Sequence, residues 1–485
     1  MNKLTSRQRK MAYAGGVLVL LVPIVFLGAP ATQDVQPGAK ATASGGMLAR
    51  MRVEQDLGES TLGDIDPSSA AMNLVLLGLR GPAVSLLHQN AIGYQEHKDW
   101  GKLKTTVDSI IRLQPHYIKI WQYQGWNLAF NVSREWDKVE DRYFWVKEGL
   151  KFLKDGTDRN QTATILFHNL ADFMGRKIGS ADEKKFFRNF FLHDPDPQFE
   201  GGADPVLNPD GKDNYLAAYD NFVKANEKDD AYGVSGMTYV FFRQGPARAL
   251  LDYAAAFQAD GPDYDTSAAA SDADRQAREE EAQQSFATRS RDAWDNAYRD
   301  WTEVYGKEVF RGLNDIRYRL NSTEEELEAD AKTNGVTLEQ QRRVWLQNQD
   351  MTHYRFWTAF ADCERDPVMV DAHRAIYEGK RAFARGETSD PPPAEDGTPQ
   401  VSRAEELFFE GMTRFEEALG KYPDLAFHQD YIEEAMLAVY YWEKVHQFNG
   451  KRPPEEFPLK KLSIENAGKA PEIELQFFRE NRAGF

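Results

Sequence analysis

The chain has 485 residues, of which 41% are hydrophobic and 12% aromatic, so its composition excludes wholesale disorder and its length predicts two or three folding units. A net charge of −17, with no Lys/Arg run that carries interleaved aromatics, argues against nucleic-acid binding. The one cysteine, Cys363, excludes an intrachain disulfide, a cysteine-based zinc site and a CxxC redox pair.

The N-terminus predicts a membrane anchor. Residues 11–31 contain no charged side chain, and a stretch of about 20 apolar residues is long enough to cross a bilayer as a helix. Four basic residues precede this stretch, namely Lys3, Arg7, Arg9 and Lys10. The positive-inside rule therefore predicts a single-pass inner-membrane protein with a cytoplasmic N-terminus and an extracytoplasmic body. A signal peptide cleaved near residues 29–31 is the alternative, and it places the body in the same compartment.

Periodicity and breaker residues predict an all-α chain of six segments. In chain order these are the N-terminus and transmembrane helix (1–31), a flexible spacer (32–67), an N-terminal helical domain (68–258) with an acidic Pro/Gly loop (192–213), a linker with the start of a charged helix (259–290), a C-terminal helical domain (291–450) with a repeat-like unit (368–423), and a tail (451–485).

An internal repeat is the most informative pattern. A large, a small and a second large residue share one helical face, and the same order returns 34 residues later. The two sets are Leu87, Ala91 and Tyr94, then Trp121, Gly125 and Leu128. Pro115 lies between them, where it would end the second helix of the first unit. The small residue predicts a close helix crossing and the bulky residues predict its packing.

A second copy of the pattern occurs in the C-terminal half. The positions that match the second helix of the repeat are Gly411, Phe415, Ala418 and Pro423. Ala375, Gly379 and Ala382 supply the first helix of this unit. A Pro-rich loop separates the two helices.

The 34-residue helix–turn–helix pattern resembles the tetratricopeptide repeat (TPR). The segments 121–131, 142–149 and 177–179 also resemble a group of uncharacterised bacterial proteins with a membrane anchor and divergent TPR-like helices. This resemblance implies an α-solenoid of TPR-like repeats behind an N-terminal transmembrane helix. It implies no activity.

No catalytic motif is present, and we predict that the chain is not an enzyme and needs no cofactor. The sequence has no H-E-x-x-H, no G-x-S-x-G and no phosphate-binding G-x4-G-K-[ST]. The 193–213 loop does gather four candidate Ca²⁺ ligands, which are Asp194, Asp196, Asp210 and Asp213. A solvated acidic turn held by prolines explains the same residues. A metal-assisted hydrolase that uses this loop is an alternative function.

The predicted binding residues lie on the first helix of the second repeat. Asn127 and Asn131 are four residues apart, Arg134 follows, and Trp126 lies beside them. In a solenoid the first helices line the groove that meets a peptide, although these residues also suit a cap and turn. We therefore predict a membrane-tethered scaffold that binds another protein. A peptide- or glycan-binding module that uses exposed aromatics is a further alternative.

Overall fold

The computed structural model describes Gly15 and residues 80–233, 237–262, 271–312, 315–393 and 400–482. This part of the chain is mostly helical, which confirms the all-α prediction. One short antiparallel pairing joins β1 (Phe310–Arg311) to β2 (Arg317–Tyr318). No helix among these residues has both the length and the apolar character needed to cross a bilayer. The predicted anchor, apart from Gly15, and the predicted spacer lie outside the described residues.

The chain divides into two compact units. The first comprises Met1–Lys212 and Lys224–Ser235, and the second comprises Asp213–Val223 and Gly236–Phe485. The predicted first domain runs to residue 258 and therefore includes residues 213–223 and 236–258, which the structure groups with the second unit.

The first unit is a succession of helices. They are α1 (Arg80–Glu96), α2 (Trp100–Leu113), α3 (Ile118–Trp126), α4 (Val139–Arg159), α5 (Thr164–Asp172), α6 (Lys184–Leu192) and the C-terminal half of α7 (Asn214–Tyr232). The helices α3 and α5 each continue directly into a π-helical turn, Asn127–Asn131 and Phe173–Ile178. The contacts pair α1 with α2 and α3 with α4, and α4 also contacts α5.

The helix α2 shows how the sequence sets these elements. Asp99 caps its start by accepting a hydrogen bond from the backbone N–H of Lys102. Leu103, Val107 and Ile110 recur at helical spacing and are buried. The helix ends at Leu113, two residues before the proline that predicted its end.

Glycines set the close crossing of α3 and α4. A Cβ atom added at Gly125 would lie 2.7 Å from Cγ of Leu153, and one added at Gly149 would lie 2.8 Å from the carbonyl oxygen of Gly125. Trp121 is fully buried and packs over Gly156. Of the other repeat positions, Ala91 is buried, whereas three are half-buried: Leu87, Tyr94 and Leu128. The packing roles predicted for Trp121 and Gly125 agree with this geometry.

The second unit contains the remaining helices. They are α8 (Tyr239–Arg243), α9 (Gly245–Asp260), α10 (Asp272–Arg299, continued by the π turn Asp300–Tyr305), α11 (Glu324–Asn334), α12 (Leu338–Met351), α13 (Tyr354–Glu364), α14 (Pro367–Ala384), α15 (Arg403–Lys421), α16 (Gln429–Phe448), α17 (Lys460–Glu465) and α18 (Ala470–Arg482).

The helices α14 and α15 form the predicted C-terminal pair. Phe415 and Ala418 are fully buried, and Pro423 begins a 3-10 turn directly after α15. A Cβ added at Gly411 would lie 2.7 Å from a side-chain carbon of Ile376, and one at Gly379 would lie 2.9 Å from the Phe408 ring. Both glycines therefore lie at the crossing of the two helices.

The stretch from Leu338 to about Asp362 reads as one helix in the sequence, and that prediction was wrong. His353 has a φ of 53° and separates α12 from α13. The left-handed backbone conformation of His353 ends α12 and redirects the chain into α13. The apolar periodicity of the sequence continues on both sides of His353 and so does not show this break. The sequence also predicts a helix N-cap at residues 321–323, with three glutamates in the first turn, and α11 does begin there with a capping box formed by Thr323 and Glu326.

Candidate partner-binding surface

The four predicted binding residues lie on α3, its π turn and the 3-10 turn Val132–Glu135 that follows. Trp126 is 45% exposed and Arg134 is exposed. Asn127 is fully buried, and its Oδ1 accepts a hydrogen bond of 2.9 Å from Nδ2 of the half-buried Asn131. Because α4 packs on the π turn and encloses this position, the prediction that Asn127 lines an open groove was wrong.

Aromatic contacts connect α3 and its π turn to the second π turn, Phe173–Ile178. The Trp126 ring stacks on Phe130 with centroids 6.0 Å apart, and Phe173 meets Phe130 edge-on at 5.1 Å. The Nζ atom of Lys177 lies 4.9 Å from the centroid of the same Phe130 ring. Trp126, Phe130, Arg134 and Lys177 are called the basic–aromatic face below.

Neither cation of this face, Lys177 or Arg134, has a carboxylate at ion-pair distance among the described residues, although Glu183 and Asp182 are near enough to Lys177 to affect its pKa. Burial lowers the pKa of Lys177. Glu183 and Asp182 oppose that effect, while Arg134 and Arg142 reinforce it. The nearby Glu183 carboxylate instead forms an ion pair with Arg142.

Polar contacts hold the backbone around the face. Gln122 on α3 donates a 2.7 Å hydrogen bond from Nε2 to Oδ1 of Asn169 on α5. Glu135, at the end of the 3-10 turn, accepts two hydrogen bonds from Nζ of Lys98 at 2.8 and 2.9 Å. The first contact joins α3 to α5, and the second joins the 3-10 turn to the turn between α1 and α2.

Acidic residues of the 193–213 loop form ion pairs that attach the loop to α4. Both carboxylate oxygens of Asp194 lie 2.9 Å from Nζ of Lys147, and both side chains are almost fully buried. The Asp204 carboxylate pairs with Lys151 at 2.7 Å.

The other candidate Ca²⁺ ligands have local roles. Asp196 accepts hydrogen bonds from Gln198, Asp213 accepts one from the backbone N–H of Tyr215, and Asp210 is exposed. Within the described residues, no three acidic, histidine or cysteine side chains are placed to share a metal ion. The four predicted ligands are therefore not brought together.

A buried polar cluster in the second unit escaped the sequence prediction. His373 lies between two carboxylates, 3.0 Å from Glu364 through Nε2 and 2.7 Å from Glu434 through Nδ1. Tyr431 and Gln258 donate further hydrogen bonds to Glu364 at 2.7 and 2.8 Å. Both ring nitrogens of His373 already bind carboxylates, so neither is available to a ligand. Because Glu364, His373 and Glu434 lie on α13, α14 and α16, the cluster joins these three helices.

The sequence offered a signal for only part of the basic–aromatic face. Phe130 lies four residues after Trp126 on one helix, a spacing that places the two rings side by side. Lys177 lies on a different helix, and no local pattern connects it to Trp126.

Comparison with known proteins gives no assignment. No family model, no curated protein and no solved structure matches the chain. The geometry of the basic–aromatic face is therefore the basis for assigning a function.

Proposed function

We propose that this chain is a membrane-tethered, extracytoplasmic scaffold of TPR-like helix pairs that binds another protein through the basic–aromatic face. The observation that carries the proposal is the pair of cations without a carboxylate partner, Arg134 and Lys177, beside the exposed Trp126. In a chain with a net charge of −17, such a pair is a local site for an acidic partner. Exposed Trp and Arg side chains are also the residue types that dominate binding energy at interfaces.

The TPR-like architecture is supported by the helix crossings. Gly125 and Gly379 occupy equivalent first-helix places in the sequence pattern of two helix pairs, and both lie where a side chain would collide with the partner helix. Residues 11–31 and the basic residues before them support the proposed inner-membrane anchor.

Two of the three π turns in the described part of the chain lie at this surface, which is a further reason to choose it. Segments of π-helix are rare and occur frequently at functional sites. Here Asn127–Asn131 and Phe173–Ile178 contribute Phe130 and Lys177 to the same face. No comparable observation in the described residues favours the hydrolase alternative, since Lys147 neutralises Asp194.

Co-purification from solubilised membranes tests the proposal. The variant Arg134→Gln with Lys177→Gln removes both charges of the face. Lys104→Gln with Lys119→Gln is the matched control, because both lysines are exposed in the same unit. We expect a native partner that is retained by the wild type and the control to be lost by the face variant. Equal recovery of every partner by a face variant that keeps its helical circular dichroism would contradict the proposal.

A further inference from the structure

We propose that the second unit binds a free α-amino acid with a small branched apolar side chain, in the cleft lined by α10, α14 and α15. The ammonium group of the ligand lies at Glu378, its carboxylate at Arg381 and Arg403, and its side chain in an adjoining apolar cavity. All the residues that line the cleft belong to the second unit, so this inference goes beyond protein binding at the basic–aromatic face and does not depend on it.

Two cavities adjoin each other in this cleft. The larger one has a volume of about 520 Å³, which is in the range of small-molecule sites, and charged side chains from α10, α14 and α15 line it. The smaller one has a volume of about 50 Å³, enough for a few atoms the size of a water molecule. Gln283 and Glu378 line both cavities, so one ligand can occupy both.

The carboxylate of Glu378 lies where the two cavities meet. Its side chain is half-buried, and among the described residues it has neither an ion pair nor a hydrogen bond. Burial raises the pKa of this carboxyl, and the nearby Glu410 adds to that effect. Arg374, Arg403 and Arg381 oppose it. An ammonium group bound at Glu378 supplies the ion-pair partner that the described side chains do not provide.

Two guanidinium groups suit the carboxylate of the ligand. Arg381 and Arg403 both line the larger cavity and are near enough to Glu378 to affect its pKa. Arg381 lies three residues after Glu378 on α14, a spacing at which two helical side chains are neighbours. Because the ammonium and carboxylate groups of an α-amino acid are attached to one carbon atom, a single ligand can reach both side chains.

The two arginines also have carboxylate neighbours within the chain. Arg381 pairs with Glu279 at 3.6 Å, and Arg403 forms an exposed pair with Glu406 at 2.8 Å. Each guanidinium has five N–H donors, so it can bind the carboxylate of a ligand in addition to its neighbour.

The smaller cavity selects the side chain of the ligand. Phe286, Val370 and Tyr377 are half-buried and form its apolar wall beside Glu378. At about 50 Å³ it has room for the branched end of a leucine or valine side chain but not for an indole ring. Placing such a side chain there removes its apolar surface from water and so favours binding.

Isothermal titration calorimetry of the full-length protein in detergent tests the ligand. The probes are leucine, leucinamide, which lacks the carboxylate, and 4-methylpentanoate, which lacks the ammonium group. We expect leucine to bind about ten-fold or more tightly than either analogue, because each analogue loses one charged hydrogen-bonding group. Glycine and tryptophan should also bind more weakly than leucine. If leucine gives no saturable heat up to about 10 mM, or binds no better than its analogues, the proposal is overturned.

Single substitutions test the proposed contacts. Glu378→Gln should weaken leucine binding about ten-fold or more and should not weaken the binding of 4-methylpentanoate. Arg403→Gln should weaken leucine binding but not that of leucinamide. Glu417→Gln is the matched control, because Glu417 is exposed on α15 and lines neither cavity.

Helical circular dichroism checks that each variant is folded. We expect Glu378→Gln to keep the fold, since the substitution breaks no ion pair among the described residues. Leucine affinity equal to that of the wild type in a folded Glu378→Gln protein would refute the proposed ammonium contact and with it the site.

Discussion

At the scale of single residues, the most informative side chains are buried charges. Lys147, Asp194 and Glu364 are almost fully buried and His373 is mostly buried, in surroundings where an unpaired charge costs several kcal/mol. Each has a charged partner, and the partners come from other parts of the chain. These pairs therefore fix particular helix and loop arrangements, and removing one member leaves a buried charge behind.

The first prediction concerns His373. Burial alone would lower its pKa, but the carboxylates of Glu434 and Glu364 outweigh burial and raise the pKa well above 6.5. Burial would also raise the pKa of Glu364, yet His373, Gln258 and Tyr431 hold it below 4.5. The histidine's contribution to stability is therefore fully present below about pH 6.5 and is lost as the pH rises through its folded-state pKa. The contribution of Glu364 is lost as the pH falls through its own lowered pKa.

Denaturant unfolding of His373→Gln checks this. We expect the variant to lose on the order of 3–5 kcal/mol near pH 5.5, because Glu364 remains buried without its cation. The difference from the wild type should shrink as the pH rises into the alkaline range. His97→Gln is the control, since His97 is exposed and the hydrogen bond of its side chain is to a backbone carbonyl of the preceding helix, α1. A difference that stays constant with pH would show that the imidazolium charge is not what stabilises the cluster.

The second prediction concerns Lys147. Lys147→Met leaves the fully buried Asp194 carboxylate without its cation, and we expect a loss on the order of 3–5 kcal/mol with faster proteolysis in the 193–213 loop. Lys147→Met with Asp194→Leu should recover part of the loss. Lys154→Met is the control, because its pair with Asp158 is solvent-exposed and should contribute at most about 0.5 kcal/mol. Unchanged proteolysis of the single variant would mean that the pair does not hold the loop.

At the scale of helices, small residues control how closely neighbours approach. Gly125, Gly149 and Gly156 lie where α3 and α4 cross. A Cβ atom added at any of them would come within 3.0 Å of an atom of the opposite helix, which leaves no room for a side chain. The sequence pattern identified Gly125, because a glycine between two bulky residues at helical spacing is a local signal. The buried state of Asn127 could not be identified in this way. It depends on α4 covering the π turn, and one helix's own periodicity cannot show which of its polar positions a neighbour will enclose.

The third prediction compares two glycines. Gly125→Leu overpacks the α3–α4 crossing, since even a Cβ atom would come within 2.7 Å of Leu153, and we expect a cost on the order of 1–3 kcal/mol. Gly101 lies in α2 with nothing within 4 Å of an added Cβ. Gly101→Leu should therefore be neutral or stabilising by up to about 1 kcal/mol through helix propensity. Chemical denaturation measures both, and equal midpoints for the two variants would show that α3 and α4 do not cross closely.

At the scale of the whole molecule, the sequence predicts the fold class better than it predicts the residues of the functional surface. Helical periodicity, Pro115 and the cap at Thr323 are local signals, and the structure has the elements they predict. The basic–aromatic face was predicted only in part, through Trp126 and Arg134. Its other half, Lys177, is 51 residues from Trp126, and only the packing of α5 beside α3 brings the two together.

The last prediction concerns the proposed membrane anchor, residues 11–31. Residues 11–31 are uncharged over a length that spans a bilayer, and basic residues precede them without a basic counterpart directly after. A secretory signal has a shorter apolar core of 7–15 residues, and Pro30 disfavours cleavage at the small residues near it. We therefore expect the segment to remain in the mature protein. Intact-mass measurement of membrane-extracted protein checks this, and a mass that lacks about the first 31 residues would establish the cleaved signal instead. Protease treatment of intact spheroplasts is the topological control: the body should be digested from outside, because the positive-inside rule keeps only the short N-terminus in the cytoplasm.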